Sequence, residues 1–306
     1  MVLSPLTIVL LALIGAAVGS FLNVVIFRYK GEETLFKGTG GRSRCMKCHK
    51  ALAWYELIPI ISFVIQLGRC RSCKARISWQ YPIVEALCAF IFAAVPYVLI
   101  PIGGGVPYLL ISIWVGTLLS LVLISFIDIR LWIIPNGLNM FVALLGVLNL
   151  ALLLTHGGFG DVEQGALYKS LFGDSHVKVV GSFLGPSAEM IMLPDGPWLS
   201  AAGGLLFGGL FFGAIYYLSR GRAMGFGDVK LALAAGLLLG MPDIVLATML
   251  AFITGAFWAS IQILRKKRGL KDMLPFGPFI ALGITLTFFF GYDILDVYFK
   301  FFSFIF

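Results

Sequence analysis

Residues 86–127 read ALCAFIFAAVPYVLIPIGGGVPYLLISIWVGTLLSLVLISFI, 42 consecutive positions without a charged side chain. A helix crossing a bilayer needs about 20 residues, so this run is too long for one span and long enough for two. Pro101, the run Gly103-Gly104-Gly105 and Pro107 divide it: proline lacks the amide hydrogen of a helix interior, and consecutive glycines break the pattern. Residues 1–27 are also uncharged. They lack the basic n-region and short apolar core of a cleaved signal, and read as a retained first helix entering from outside. Further spans are predicted at 131–154, 197–219, 244–264 and 274–292. Between 155 and 197 the longest uncharged run is ten residues (179–188), which reads as an external loop.

Composition agrees. Of 306 residues 59% are apolar and 12% charged, about half the usual charged share. A mean hydropathy of +0.97 excludes disordered and collagen-like chains and a soluble enzyme. The ten-residue alternation of an outer-membrane barrel is missing. The expected fold is an all-α polytopic membrane protein of about eight transmembrane helices.

The net charge of +8 has one source. Residues 28–80 hold 11 basic side chains against three acids, and the remainder of the chain balances. By the positive-inside rule this basic segment is a cytoplasmic loop. Nucleic-acid binding is the competing reading of such a loop, and orientation beside a span is the more economical one. Three regions follow: a first helix (1–27), a cytoplasmic loop domain (28–80), and a helical bundle (81–306) with an outward loop at 155–197. Residues 229–242 are short for a span. From Asp228 to Asp243 is about 24 Å at 1.5 Å per residue, against about 30 Å of hydrocarbon. Yet Arg265-Lys266-Lys267-Arg268 and Lys271 fall on the cytoplasmic side only if this segment crosses. Either the membrane thins there or Asp228 lies below the surface in a protein-lined cavity.

Counting crossings then places Asp128, Asp228 and Glu85 on one side of the membrane, the cytoplasmic one. An Asp starting a helix is an ordinary cap, and that bland role suits Asp228. It does not suit Asp128, which ends an apolar helix where the dipole disfavours an anion. A carboxylate in the context SFIDI is costly and reads as functional. Two carboxylates about 3 Å apart cannot both ionise. One can then act as base on a water while the other serves as acid, the chemistry of metal-free peptide hydrolysis. In MGFGDVK, Gly225 and Gly227 can adopt positive φ and let another backbone approach Asp228. Lys230 either snorkels to the interface or biases the ionisation of the pair.

Cys45-x2-Cys48 and Cys70-x2-Cys73 approximate a four-cysteine zinc ribbon. Disulfides are the alternative, but cytoplasmic thiols stay reduced. The expected zinc is structural, ordering a loop with little core. His49 could substitute as a ligand. Cys88 reads as a packing residue inside the second helix. Gly204-x3-Gly208 and Gly209-x3-Gly213 read as close helix packing.

GSFLNVVIFR (19–28), the paired CxxC motifs, YPIVE (81–85), Ile127-Asp128 with Pro135-Asn136, MGFGDVK (224–230) and LPFGP (274–278) stand in an order that resembles the bacterial type IV prepilin peptidases. The resemblance implies an intramembrane aspartic protease of the inner membrane with Asp128 and Asp228 as its catalytic acids. It implies cleavage of the leader of prepilins and pseudopilins, in type IV pilus assembly or type II secretion, at the cytoplasmic face after a Gly. It further implies N-methylation of the new N-terminal residue, usually Phe, with S-adenosylmethionine, and links the four cysteines to that second activity. No glycine-rich fingerprint for the methyl donor is visible. Glu85 and segment 19–28 are candidate contributors, and Glu85 has pairing with a loop Arg as its alternative role. The loop at 155–197 has no counterpart role in the family. Two other functions stay open at this point: a peptidase without methyl transfer, and a proton-coupled transporter using the same acids. The lipid bilayer is an expected partner and nucleic acid is not. Oligomeric state is not readable.

Overall fold

A computed structural model describes residues 3–31, 35, 40–100, 107–155, 183, 196–265 and 274–305. The expected external loop at 155–197 and the basic run after Arg265 lie almost wholly outside the described residues. The chain divides into two compact units, Val2–Tyr97 and Val98–Phe306. The described regular structure is helical, apart from two isolated β-bridges.

The first unit pairs two long helices around a small loop domain. Helix α1 (Pro5–Arg28) starts where Ser4 Oγ accepts the Thr7 N–H and Pro5 occupies the first turn. It ends where Tyr29 turns extended. A short helix α2 (Ile61–Ile65) follows the loop, and α3 spans Gln80–Leu99. The contact between α1 and α3 is made by glycine. A Cβ on Gly15 would run into the Cys88 carbonyl, and one on Gly19 would stand 2.8 Å from Glu85 Cα. Small residues one turn apart let membrane helices approach backbone to backbone. Helix α3 opens at Gln80, so Glu85 sits inside the helix and is buried.

The second unit holds six helices: α4 (Pro107–Leu131), α5 (Asn136–Thr155), α6 (Pro197–Leu218), α7 (Phe226–Leu239), α8 (Asp243–Leu264) and α9 (Gly277–Ile305). Its centre is α7, only 14 residues long and buried at positions spread around its whole circumference. It packs against α5, α6, α8 and α9. A helix enclosed by protein need not match the hydrocarbon thickness, which accounts for its length. Gly204 and Gly208 abut the backbone of α7 at Gly236 and Ala232, as expected of that pair. Gly209 meets the Leu233 side chain, whereas Gly213 faces nothing within 4 Å, so the second glycine pair is not a seam.

Seven of the described helices are long and apolar enough to cross a membrane, and α7 is the short eighth. The protein is a multi-pass membrane protein. Helix α9 continues well past residue 292, where Asp296, partly buried, and Lys300, exposed, pair at 2.7 Å across one turn. Helix α4 likewise runs three residues beyond Asp128.

Candidate active site

Asp128 lies in the last turn of α4 and is buried. The end of its own helix offers it no donor, and the start of another does. Gly277, first residue of α9, donates its N–H to Asp128 Oδ2 at 3.1 Å. A side chain at 277 would place its Cβ 2.8 Å from that oxygen, so the approach requires glycine. The positive end of α9 thus supplies what the end of α4 withholds. This gives the Gly of LPFGP a role that the sequence pattern alone does not reveal.

Asp228 lies in the first turn of α7, also buried. Its Oδ2 accepts the Gly225 N–H at 3.0 Å, which is the capping role anticipated for it. Its Oδ1 is buried with no hydrogen-bond partner. One oxygen caps and the other is left over. Ile134 packs both against Gly227, the residue before Asp228, and against Gly277, whose N–H holds Asp128, so the two acids from α4 and α7 flank one side chain. A buried pair of this kind can hold one proton between its members and act on a water as base and acid.

The surrounding contacts correct two expectations. Neither Gly225 nor Gly227 has positive φ. Gly225 contributes its N–H, and a Cβ there would make ordinary contact with Asp228 Oδ2 at 3.7 Å, whereas a Cβ on Gly227 would lie 3.1 Å from Ile134 Cβ. The same Ile134 stands 3.2 Å from the Cβ position of Gly277. The connection between α4 and α5 is therefore wedged between the two glycine-bearing helix starts. Asn139 Nδ2 donates to the Gly227 carbonyl at 3.4 Å, a contact no sequence signal announces. Lys230 Nζ donates to Asn136 Oδ1 at 2.8 Å and lies over the Phe226 ring. It ties α7 to the start of α5 instead of pairing with an acid.

Glu85 belongs to the first unit and accepts the Ile60 N–H at 2.7 Å. Among the described residues it has no ion pair, so the loop arginine anticipated for it is not its partner.

In the loop domain the two CxxC segments fold alike at an offset of 25 residues. Bridge Arg44–Ala51 repeats as Arg69–Arg76. The bond from His49 N–H to the Cys45 carbonyl repeats from Lys74 N–H to the Cys70 carbonyl, both at 2.9 Å. His49 and Lys74 both take positive φ. These knuckles bring the sulfurs of Cys45, Cys48, Cys70 and Cys73 within 4.8 Å of one another, a cluster that could hold a metal ion. All four are free thiols, and Cys45 Sγ stands 3.8 Å from Cys73 Sγ. That is about the edge of a tetrahedron with metal–sulfur bonds of about 2.3 Å, and far beyond a disulfide. His49 is outside the cluster. Backbone N–H groups of Cys48 and Lys47 pull the Cys45 thiol down to about 6. At Cys73 the Ala75 N–H pulls downward, but burial and the other three sulfurs prevail and push it up to about 11.

Comparison with known proteins covers both units. The Bacterial Peptidase A24 N-terminal domain matches residues 13–99, and the Type IV leader peptidase family matches residues 176–260. The prepilin leader peptidase/N-methyltransferase of Aeromonas hydrophila is 30% identical over 310 residues, covering 94% of this chain and 92% of the relative. The protein of the same name from Bacillus subtilis (strain 168) is 28% identical over 259 residues, 85% of this chain and 86% of its own. That from Myxococcus xanthus (strain DK1622) is 37% identical over 168 residues, 53% of this chain and 45% of its own. No solved structure matches.

Proposed function

We propose, from the premise that this chain belongs to the prepilin leader peptidase/N-methyltransferase family, that Asp128 and Asp228 are the acids with which it works. The protein is a protease with methyltransferase activity: it cleaves the leader of a prepilin and N-methylates the chain so exposed. What carries the assignment of the acids is one observation. Asp228 keeps a buried oxygen without a partner, and Ile134 joins its helix start to the Gly277 amide that holds the second buried carboxylate.

In the proposed reaction one carboxylate takes a proton from a water held between the pair. The resulting hydroxyl bonds to the scissile carbonyl carbon as the other carboxyl gives its proton to the carbonyl oxygen. Breakdown of the tetrahedral species breaks the C–N bond, and the amine leaves with a proton returned by the pair. Gly225 and Gly277 hold one oxygen of each acid, fixing which oxygens remain for chemistry. Ile134 packs against Gly227 and Gly277 and so borders the place where that water would sit.

The Cys45–Cys48–Cys70–Cys73 cluster holds zinc in this reading, and the fit rests on four thiols at tetrahedral separation. The ion cross-links the two knuckles and enters no step of cleavage. The methyl group comes from S-adenosylmethionine. Among the described residues no glycine-rich strand-to-helix turn marks a place for it, and no residue is assigned to it. The protein sits in the inner membrane with the basic loop and both acids on the cytoplasmic side, where the charged leader of a prepilin meets its apolar helix. Its substrates are prepilins and pseudopilins.

The test is cleavage of a prepilin by purified Asp128→Asn and Asp228→Asn proteins. Each variant should insert and leave the precursor whole; a variant that still cuts would remove its acid from the mechanism.

A further inference from the structure

Two polar side chains in the first unit have no part in cleavage and are too buried to be surface ornaments. Asn23 on α1 is 1% exposed and Glu85 on α3 is 6% exposed. Asn23 Nδ2 donates to the Gly19 carbonyl at 3.3 Å and to the Tyr81 carbonyl at 3.1 Å, which orients the amide and turns its oxygen away from both. That Oδ1 is buried and accepts nothing. An acceptor buried without a donor costs on the order of 1–3 kcal/mol, so its retention calls for a reason.

Glu85 lies one helical turn after Tyr81, on the seam where Gly19 meets its Cα. Its Oε2 accepts the Ile60 N–H. Ile60 is held at φ 61, a conformation that a β-branched residue rarely adopts, to present that N–H. A carboxylate and an amide oxygen therefore stand within one turn of each other in a narrow seam. Among the described residues the seam supplies acceptors and neither is paired with a cation. The chemical complement of such acceptors is a small multi-proton donor such as an ammonium group.

We propose that Glu85 and Asn23 receive the free α-ammonium of the newly cut substrate, holding it for methylation. This rests on the methyltransferase half of the proposed function. A nitrogen accepts a methyl group only through a free lone pair, so the ammonium must lose a proton first. In a seam with little water an ammonium–carboxylate ion pair is costly. Transfer of one N–H proton to the Glu85 carboxylate leaves a neutral amine beside a neutral acid, and the nitrogen pair is free. Asn23 Oδ1 keeps a second N–H and so directs that pair.

The experiment uses the full-length enzyme in lipid nanodiscs with a prepilin substrate, reading cleavage and methylation separately from the mass of the product N-terminus. Competition by a mature-sequence peptide, with its amine free or acetylated, reads binding alone. In Glu85→Gln, cleavage should stay within about twofold of wild type and methylation at pH 7 should fall at least about tenfold. Methylation should recover toward pH 9, where the α-amine, with a solution value of about 8, deprotonates unaided. Wild type should prefer the free-amine peptide and Glu85→Gln should not. Unchanged methylation, or a loss with neither recovery at high pH nor loss of the amine preference, overturns the proposal. Should Glu85→Gln accumulate poorly, Asn23→Leu carries the same peptide comparison, and a retained preference counts against the site. A wild-type enzyme that cuts without methylating would end the methyltransferase reading, whereas one that methylates without telling free from acetylated peptide would end only the amine site.

Discussion

Gly277 and Asp128 are joined by a hydrogen bond that leaves no room for a side chain: the N–H of one meets Oδ2 of the other at 3.1 Å, and a methyl group at 277 would press on the same oxygen. Gly277→Ala should therefore displace Asp128 without altering either acid. Hydrogen bonds to charged groups contribute about 1.5–3 kcal/mol, so kcat/KM for cleavage should fall by about one to two orders of magnitude. Methylation of a precleaved substrate serves as the control for folding. Wild-type cleavage in this variant would show that α9 does not hold the acid.

The pair should give a bell-shaped cleavage profile against pH. Both acids are protonated at the low end, leaving no base, and both are ionised at the high end, leaving no acid. Gly225→Ala leaves the backbone N–H and makes only ordinary van der Waals contact, so it should retain most of wild-type activity, whereas Gly227→Val collides with Ile134 and should lose it. A profile without a falling limb on one side would contradict proton sharing.

Metal loading should depend on pH with a definite sign. At neutral pH Cys45, pulled down to about 6, is already largely thiolate, whereas Cys73, pushed up to about 11, carries a proton that a metal must displace. Zinc affinity should thus rise from pH 6 to pH 8 with protons released on binding, measurable by chelator competition in two buffers. Cys73→Ser should lower the stoichiometry well below one ion per chain and diminish methylation before cleavage. Equal affinity at both pH values would argue against thiolate ligation.

The seam between α6 and α7 should tolerate no added bulk. A Cβ on Gly236 would strike the Gly204 carbonyl, so Gly236→Ala should cost about 1–3 kcal/mol and lower the melting temperature in detergent. Gly213→Ala, facing open space, should leave it unchanged. Since Ala is the better helix former, a Gly236→Ala protein as stable as wild type would mean that the close approach at this seam does not limit stability.

Much of this was legible in the residues, for identifiable reasons. A membrane helix announces itself by length and apolarity, so the spans could be read, and a CxxC pair fixes its own sulfurs locally. Asp128 stood out because an anion at a helix C-terminus has no cap role. What stayed hidden were partners distant along the chain. Gly277 lies 149 residues from Asp128, and nothing in a run of LPFGP says which helix end its amide will meet. Lys230 illustrates the same limit from the other side: two residues from an acid, it turns instead to Asn136, 94 residues away. Helix boundaries near charges also slipped, because a local pair such as Asp296–Lys300 lets a helix continue past the apolar stretch that defines a span.

The two acids are mounted differently. Asp228 rides on a helix locked to α6 by main chain against main chain, a joint with no side-chain play. Asp128 lies three residues before the end of α4, next to a connection in which Trp132 and Ile133 are exposed while Ile134 and Pro135 are buried. To admit a polypeptide between them, the anchored side has nothing to give. The 132–135 connection is the side expected to yield, with Ile134 the side chain that would have to withdraw.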